Sequence, residues 1–590
     1  MPTVTSSTGL CDSDTWFRPS SRNTDHSAQD SPSANSKMAT RLCSRLRKVL
    51  ALAIWATLLW LTLYILLGPR TPYLQKRPNR VATPAQLDLK PAAIAEHPIR
   101  NLFHKAEADF DKLLARQSSS LDMAVAEYVR RYQRDPPSGF EAWYDYAARH
   151  HSIIIDEFDI INEALAPFWS LTGAEVKRRL SIVRGPSISH CKLFDREDQA
   201  DCEALGGELL ELLREAGLMA LLPEMDILIN EMDEPRVLRG DYDEFESLGD
   251  SGELGWTDLS HRNVWHDITA GCRHNGISGA KQPSSAIRES DVAGLNLVID
   301  KADAVNLCRH PEYSNMHGVW RSPTSLSVIR AKVPILSAAV PSTMGDIPFP
   351  AAAYLNRAYT YEETEDMPWE GKTPALYWAG KTTGSYQEAT GQTWKQDHRQ
   401  RFVSFANDLE RRAHTHLWRP SGIEKWHKRS SSKLNPLFYA VHFTDVVQYA
   451  DQTTNDDIRD YFEIHDEEPR EEAFKYTLTF DLDGNGHSGR FYRLLNSWSL
   501  PLKQTVFREW HDERIQPWLH YVPISLSMED LPEVVRYLAD DEEGKQVAVL
   551  MAEKGREWSL RALRPVDQAI YLYRLLLELA RLQDPGRPES

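Results

Sequence analysis

The sequence has few cysteines and fewer basic than acidic residues, and both shortages exclude classes of protein. Six cysteines occur in 590 residues, and none of their spacings is that of a zinc site. There is no Asn-x-Ser/Thr sequon and no internal repeat, so N-glycosylation neither supports nor opposes a luminal location. Because 68 Lys and Arg face 85 Asp and Glu, the net charge of −17 argues against a nucleic-acid-binding protein.

An uncharged apolar run, Val49–Leu67, dominates the N-terminal part of the chain. About 20 such residues span a bilayer as a helix. The run is too long, and begins too far from Met1, for a signal peptide. A buried core helix is the alternative. We therefore expect a single transmembrane anchor between a disordered tail at residues 1–48 and a proline-rich stem at residues 68–100. Basic residues lie on both sides of the run, so the charge rule alone leaves its orientation nearly balanced.

Four cysteines follow the anchor, and an oxidising compartment would let them form two bridges. Cys191–Cys202 and Cys272–Cys308 are the local choices, although four cysteines allow three connectivities. Free buried thiols are the alternative.

The length exceeds one ordinary core, so we expect two large lobes, and 42% apolar residues suffice to fill them. Strands and helices alternate most clearly after about residue 370, which favours parallel sheets with ligands at the carboxyl ends of the strands. The expected strands are Leu180–Val183, Asp226–Ile229, Val333–Leu336, Ala375–Trp378, Phe438–Phe443 and Leu519–Ile524. The expected helices are Asn101–Tyr132, Phe140–His150, Asp201–Ala216, His398–Arg412, Val506–Arg514, Leu531–Leu538 after a capping box from Ser527 to Asp530, and Glu542–Leu582.

The stretch Lys475–Pro523 carries the clearest pattern of a ligand site. An alternating strand, Tyr476–Phe480, leads into the turn-forming Asp481–Gly486, and a helix follows with Ser488 as its predicted N-cap. A strand, a glycine-rich turn and a helix start with Arg490 in its first turns are typical of a phosphate site.

Two other interpretations begin at the same aspartates. Asp481-x-Asp483 followed by Asn485-Gly486 copies half of a calcium-binding loop, but the twelfth position holds Tyr492 where a bidentate Glu is needed. The two aspartates could instead bridge a divalent cation and a diphosphate, or simply bond nearby backbone N–H groups in a turn.

Several blocks of the sequence together resemble glycosyltransferase family 90, the family of fungal capsule-associated xylosyltransferases and animal protein O-glucosyltransferases. The fungal branch is the more similar. The blocks are Pro136-Pro137-x-Gly139-Phe140-x-x-Trp143, Leu376-Tyr377-Trp378-x-Gly380-x-Thr382-Thr383-Gly384, His398-Arg399-Gln400-Arg401-Phe402, Asp483-Gly484-Asn485-Gly486-x-Ser488-Gly489-Arg490-Phe491, Leu502-Lys503-Gln504 and Pro517-Trp518-x-His520-Tyr521-Val522-Pro523.

The resemblance implies an α/β fold of the GT-B type, with two Rossmann-like lobes and the active site between them. Residues 101–365 would then form the acceptor and base lobe, residues 366–540 the UDP-sugar donor lobe, and residues 541–590 helices that cross both. It implies an inverting transferase that moves xylose or glucose from a UDP-sugar to a glycan hydroxyl. It also implies a type II Golgi membrane protein with a luminal catalytic domain, and the C-terminus carries no retrieval signal of the KDEL type.

The resemblance assigns the catalytic base to Asp233, which follows the expected strand Asp226–Ile229; Glu231 and Glu234 compete for the role. For the departing diphosphate we expect N–H donors and cations. The predicted donor-binding residues are Gly380, Lys381, Thr382, Thr383, Gly384, Asp483, Ser488, Gly489, Arg490, Arg493, Lys503 and Glu509. We expect no metal and no cofactor besides the UDP-sugar co-substrate, with stimulation by a divalent cation left open.

The chain departs from the family pattern at three places. Ala379 replaces the usual Arg before the glycine, Lys381 stands where a small hydroxyl residue is usual, and Pro501 interrupts a strand that should then be an edge strand or distorted. The alternatives to a glycan-directed transferase are therefore a protein O-glucosyltransferase acting on Ser, and a catalytically silent anchored scaffold that binds nucleotide or glycan.

Overall fold

The computed structural model describes residues 94–587 except 196–197, 199, 203–205, 240–254, 274–290, 293, 357–358, 389 and 432–433. The chain divides into two compact units, Met1–Asp88 and Leu89–Ser590, and all described residues belong to the second. The predicted anchor Val49–Leu67 and the tail that was predicted to be disordered, residues 1–48, lie outside the described residues. Within residues 94–587, with the gaps given, no helix is both long enough and apolar enough to cross a bilayer.

The strands form two larger sheets and several two-stranded ones. They are β1 (Ile188–Leu193), β2 (Ala200–Cys202), β3 (Met225–Asn230), β4 (Thr257–Asp258), β5 (Asp291–Val292), β6 (Leu295–Asn296), β7 (Ser327–Val328), β8 (Ile335–Ser337), β9 (Val340–Pro341), β10 (Ile347–Pro348), β11 (Thr373–Lys381), β12 (His414–Trp418), β13 (His427–Ser431), β14 (Tyr439–Asp445), β15 (Tyr476–Leu482), β16 (Leu500–Gln504), β17 (Phe507–Arg508) and β18 (Val522–Pro523).

The α-helices range from one turn to more than five turns. They are α1 (Pro98–Ala115), α2 (Leu121–Tyr132), α3 (Phe140–Arg149), α4 (Asp159–Leu165), α5 (Gly173–Ile182), α6 (Gly206–Glu215), α7 (Trp265–Ile268), α8 (Lys301–Ala304), α9 (Gly318–Arg321), α10 (His398–Ala406), α11 (Asn435–Phe438), α12 (Gln452–Tyr461), α13 (Phe491–Asn496), α14 (Leu531–Asp540), α15 (Glu542–Ala562) and α16 (Pro565–Leu582). Short 3₁₀ helices include Ala352–Leu355 and Arg470–Lys475.

The first sheet has the order β10-β8-β3-β1-β2. Its β10, β8 and β3 are parallel, whereas β1 runs antiparallel to both β3 and β2. Every residue of β3 is buried, as expected for a central strand covered on both faces. The four cysteines, whose connectivity the sequence leaves open, form the two local pairings, Cys191–Cys202 across β1 and β2 and Cys272–Cys308.

The second sheet has the order β14-β11-β15-β16-β18, and every pairing in it is parallel. The chain is therefore a mixed α/β protein with parallel strands, as the alternation of strands and helices predicted. The expectation that Pro501 marks an edge or distorted strand is wrong, because β16 lies between β15 and β18 in continuous register with β15. Proline is accommodated because β18 pairs with Leu502 and Lys503 and not with position 501.

Two long helices near the C-terminus pack on different parts of the core. In α15 the indole of Trp558 donates to the carbonyl of Arg514 at 2.5 Å, on the side of the second sheet. In α16 the Tyr571 hydroxyl donates to the Pro348 carbonyl of β10 at 3.1 Å. The predicted continuous helix Glu542–Leu582 is thus two helices, since Pro565 begins the second one.

Three local predictions are wrong for identifiable reasons. Leu180–Val183 is the end of helix α5 and not a strand, because Val176 and Leu180 bury one helical face. The segment Val506–Arg514 contains strand β17, which pairs with β9, and turns rather than the expected helix. Asp530, taken as part of a capping box, instead binds the N–H and hydroxyl of Ser525.

Candidate active site

A cleft of about 560 Å³ lies at the carboxyl ends of β11 and β15. This is the edge at which open parallel sheets bind ligands. The first sheet contributes Asp233, which follows β3, and the second sheet contributes most of the remaining wall. The predicted site residues that line the cleft are Asp233, Gly380, Lys381, Thr383, Ser488, Gly489, Arg490 and Arg493.

Asp233 is presented by a turn that Asn230 organises. The Asn230 amide donates to the carbonyls of Met232 at 3.1 Å and Glu234 at 2.8 Å. Its side-chain oxygen accepts from the Met232 N–H at 3.1 Å and from Arg236 Nε at 2.8 Å. These bonds fix the backbone on both sides of Asp233, so the turn holds an exposed carboxylate on a rigid base.

The two competing carboxylates are placed differently. Glu234 is buried and accepts from the N–H and hydroxyl of Ser325 at 3.0 and 2.9 Å, and burial raises the pKa of its carboxyl group. Glu231 accepts from the hydroxyl of Ser189. Neither lines the cleft, whereas Asp233 does, so the geometry favours Asp233 as the carboxylate available to a substrate.

The glycine turn after β15 lies directly against Asp233. A Cβ atom built on Gly486 would meet the Asp233 carbonyl oxygen at 2.5 Å and the Asp233 Cβ at 3.1 Å. No side chain fits at this position, which is one reason for the glycine. The contact joins the turn after β3 to the turn after β15, and so places the candidate base beside the predicted donor loop.

Three arginines face the cleft without a carboxylate partner. Arg399, Arg490 and Arg493 line it, and none of them forms an ion pair with any described residue. Burial, helped by Arg490, lowers the pKa of Arg399 to about 9 and that of Arg493 to about 10. Because uncompensated buried cations are costly, this arrangement favours an anionic ligand such as a phosphate or diphosphate.

Arg399 also joins the two loops that border the cleft. Its guanidinium donates to the carbonyls of Asp483 at 2.7 Å, Lys381 at 2.9 Å and Leu482 at 3.2 Å. Arg399 lies in one of the segments that resemble the family, but it was not predicted as a site residue. The one available signal was its place in that segment, because its burial arises from loops more than 80 residues away.

The loop after β11 presents some of its predicted residues and buries others. Lys381 lies at the rim, with Nζ 3.5 Å from Glu467 and 3.8 Å from Asp445. The Thr382 hydroxyl is turned away from the cleft and bonds both backbone groups of Val447 at 2.9 Å. Gly384 has a φ of +103°, which suits glycine, and its N–H donates to the Asn485 side chain at 3.1 Å.

The predicted helix start at Ser488 is wrong. Helix α13 begins at Phe491 and has Arg490 as its N-cap, with no side-chain capping bond. It contains six residues, so its dipole contributes little to an anion site. Gly489 lies in a turn against Tyr359, whose ring would be 3.1 Å from a Cβ atom at this position. Arg490 nevertheless reaches the cleft, where its Nη1 donates to the Ala379 carbonyl at 2.9 Å.

The remaining predicted donor residues form a buried ionic network that does not line the cleft. Lys503 Nζ lies 2.7 Å from Asp481 and 3.3 Å from Glu509. Burial disfavours the charged forms of both Lys503 and Glu509. The carboxylates of Asp481 and Glu509 nevertheless raise the pKa of Lys503, and Lys503 lowers the pKa of Glu509 to about 2. Burial raises the pKa of Asp483 to about 7, and its carboxylate accepts from the Val506 N–H at 2.9 Å. Their role as donor contacts stays a prediction.

Several polar atoms around the cleft lack a hydrogen-bond partner. They are Arg493 Nε, Thr479 Oγ1, His487 Nδ1 and Trp378 Nε1, all on lining residues. Buried polar groups are normally paired, so such a group of unpaired atoms favours a polar ligand in this cleft. Within the described residues, no three His, Cys, Asp or Glu side chains cluster as a metal site would require; the expectation of a metal-independent reaction stays a prediction.

A carboxylate and three arginines without a carboxylate partner line one cleft at the ends of parallel strands, an arrangement that suits the binding of an anionic ligand beside a general base. Residues 333–589 match the family described as glycosyl transferase family 90. The resemblance to this family is confirmed over these residues.

Curated relatives match over a shorter segment. Protein O-glucosyltransferase 3 of Rattus norvegicus is 34% identical over 112 residues, which is 19% of this chain and 21% of that protein. The Homo sapiens protein of the same name is 33% identical over 118 residues, 20% of this chain and 22% of its own length. Protein O-glucosyltransferase 2 of Danio rerio is 30% identical over 112 residues, with 19% and 22% covered. The matched segment spans about a fifth of each relative.

Proposed function

We propose that this protein is an inverting glycosyltransferase that moves a sugar from a UDP-sugar to an acceptor hydroxyl. The observation that carries the proposal is the contact between Asp233 and the Gly486 turn. It brings a free carboxylate to the same cleft as Arg399, Arg490 and Arg493. The GT-B arrangement of two lobes is part of the proposal and agrees with the two sheets whose loops meet there.

In the proposed reaction Asp233 takes the proton from the acceptor hydroxyl as its oxygen attacks the anomeric carbon. The bond between that carbon and the diphosphate oxygen breaks on the opposite face, which inverts the configuration. UDP leaves with the bonding electron pair, and the arginines stabilise the charge that develops on its phosphates. Each step uses groups that already line the cleft.

We propose xylose or glucose as the donor sugar and a glycan hydroxyl as the acceptor. A serine hydroxyl of a luminal protein is the second candidate, and the names of the relatives, protein O-glucosyltransferases, favour it. We further propose that Val49–Leu67 anchors the protein in the Golgi membrane with the cleft in the lumen; the two disulfides fit an oxidising compartment. A catalytically silent scaffold would bind UDP without turnover.

The test is to incubate the purified protein with a panel of UDP-sugars and with glycan and peptide acceptors, and to measure UDP release and product. We expect turnover with one donor. Asp233→Asn should lower kcat by about 10²–10⁴ while UDP binding persists, because the base does not hold the diphosphate.

Glu231→Gln is the matched control, since it neutralises a carboxylate two positions away that does not line the cleft. Its kcat should stay near that of the wild type. UDP binding without turnover for any donor and acceptor would favour the scaffold, and the absence of UDP binding would contradict the proposal as a whole.

A further inference from the structure

A two-stranded hairpin, β12–β13 with its loop 419–426, stands apart from the acidic remainder of the chain. Residues 411–430 contain six Lys and Arg but a single carboxylate, Glu424, whereas the whole chain has a net charge of −17. We call residues 411–430 the basic hairpin. Its cations are Arg411, Arg412, Arg419, Lys425, Lys428 and Arg429, all of them exposed.

The root of the basic hairpin is fixed to the protein body. Leu417 is buried, and His416 Nδ1 lies 3.2 Å from the carboxylate of Glu533 on α14. Trp426 is also buried and exchanges backbone hydrogen bonds with Ile94. The hairpin is therefore packed against the rest of the protein at one end, while most side chains of its loop are exposed to solvent.

Large apolar side chains are exposed at the outer end. Trp418 is 45% exposed and Ile423 is 48% exposed. The guanidinium of Arg429 stacks over the Trp418 ring at 4.5 Å. Tryptophan with neighbouring Arg and Lys is the combination that settles at a membrane surface, where the ring enters the interface and the cations meet the headgroups.

The nearby carboxylates do not cancel this charge. Glu410 is paired with Arg412, and Glu543 lies 4.0 Å from Arg419. Arg411, Lys425 and Arg429 form no ion pair among the described residues. The free cations outnumber the one free acid of the hairpin, Glu424, so the outer surface is complementary to a negatively charged layer.

The described chain also enters the body at this hairpin, through the bonds between Ile94 and Trp426. The apolar run Val49–Leu67 precedes this point, with residues 68–93 between them. An anchor there would raise the local concentration of bilayer available to the hairpin. An acidic polysaccharide would meet the same cations but would gain little from the exposed Ile423.

We propose that the basic hairpin binds the surface of an anionic phospholipid bilayer, with Trp418 and Ile423 in the interface and Lys425 and Arg429 on the headgroups. This inference is independent of the proposed transferase activity, because the hairpin residues named here do not line the active-site cleft.

The test uses residues 89–590, which form a compact unit of their own, in co-sedimentation with vesicles. We expect binding to equal parts of phosphatidylserine and phosphatidylcholine, weakening with added salt, and little binding to phosphatidylcholine alone. Lys425→Ala and Arg429→Ala should each weaken binding about fivefold. Trp418→Phe should keep most of the binding but reduce the fluorescence quenching that brominated lipids cause.

Lys475→Ala and Leu560→Ser are the matched controls, because they remove an exposed cation and an exposed leucine away from the hairpin. Both should bind vesicles as the unchanged fragment does. Equal binding of the hairpin variants, or no binding to anionic vesicles, would overturn the proposal. Binding to soluble polyglucuronate without vesicle binding would also overturn it, and would identify an acidic glycan as the partner.

Discussion

Replacement of Gly486 by alanine tests the structure at the point on which the proposed mechanism depends. The added Cβ would lie 2.5 Å from the Asp233 carbonyl oxygen, whereas ordinary contacts begin at 3.4 Å. The overlap is thus about 0.9 Å. The Asp233 atoms that the new Cβ would meet are the backbone carbonyl and the Cβ atom, so no flexible side chain can move aside to relieve the overlap.

The clash should displace the Asp233 turn by roughly 1 Å. A misplacement of that size at a reacting group costs on the order of 10²-fold in rate. We expect kcat of Gly486→Ala to fall about a hundredfold, while the dissociation constant for UDP changes much less, because the arginines proposed to bind the diphosphate keep their positions.

The assay is UDP release at saturating donor and acceptor, with UDP affinity measured by calorimetric titration. Gly255→Ala is the matched control, since a Cβ at Gly255 meets nothing within 4 Å. A Gly486→Ala protein with wild-type kcat would refute the reasoning, because the two turns could not then be in contact. A large loss of UDP affinity with kcat retained would mean that the donor loop moves and the base does not.

Three further predictions concern the surroundings of the site. Arg399→Lys keeps the charge but loses the three carbonyl bonds, so UDP affinity should fall at least about tenfold by calorimetry; unchanged affinity would exclude Arg399 from the donor site. The folded-state pKa of Asp483, about 7, exceeds its ordinary 3.8, so the stability contributed by the protonated carboxyl is complete below pH 3.8 and is lost as the pH rises through about 7. Asp483→Asn should therefore raise Tm relative to the wild type more above pH 7 than near pH 4, and a difference independent of pH would contradict this. Replacing Cys272 and Cys308 by serine removes a cross-link between residues 36 positions apart, so the free energy of unfolding measured with denaturant should fall by ~4 kcal/mol. The reduced wild-type protein should also be less stable than the oxidised one.

The sequence predicted the parts of the fold where one pattern decides the outcome. Asp226–Ile229 is apolar almost throughout and ends in polar residues, and it is the buried core of β3. Leu180–Val183 is equally apolar but too short to separate a strand from the end of a helix, so tertiary packing decided it. Val506–Arg514 failed for the same reason, since its pairing partner β9 lies far away in the chain.

The candidate site was predictable in its residue types more than in their positions. The resemblance assigned Asp233, and the structure places it in the cleft with Arg490. The alternation of residues along a strand does not show which face of the sheet borders the cleft. Lys503 was predicted to contact the donor, but its ammonium group forms an ion pair with Asp481, its register partner on β15. The basic hairpin was not predicted, because the net charge of the whole chain is negative and an average over 590 residues does not reveal a short basic segment.

The three carbonyl bonds of Arg399 have a consequence for how substitutions combine. One guanidinium holds Lys381 on one loop and Leu482 and Asp483 on the other, so neither loop can shift without loosening its neighbour. Changes in the two loops should therefore be non-additive in a double-mutant cycle, with a coupling energy of about 0.5–3 kcal/mol that disappears when Arg399 is absent. In thermodynamic terms the two loops form one cooperative unit, and variation in one loop constrains the variation that the other can tolerate.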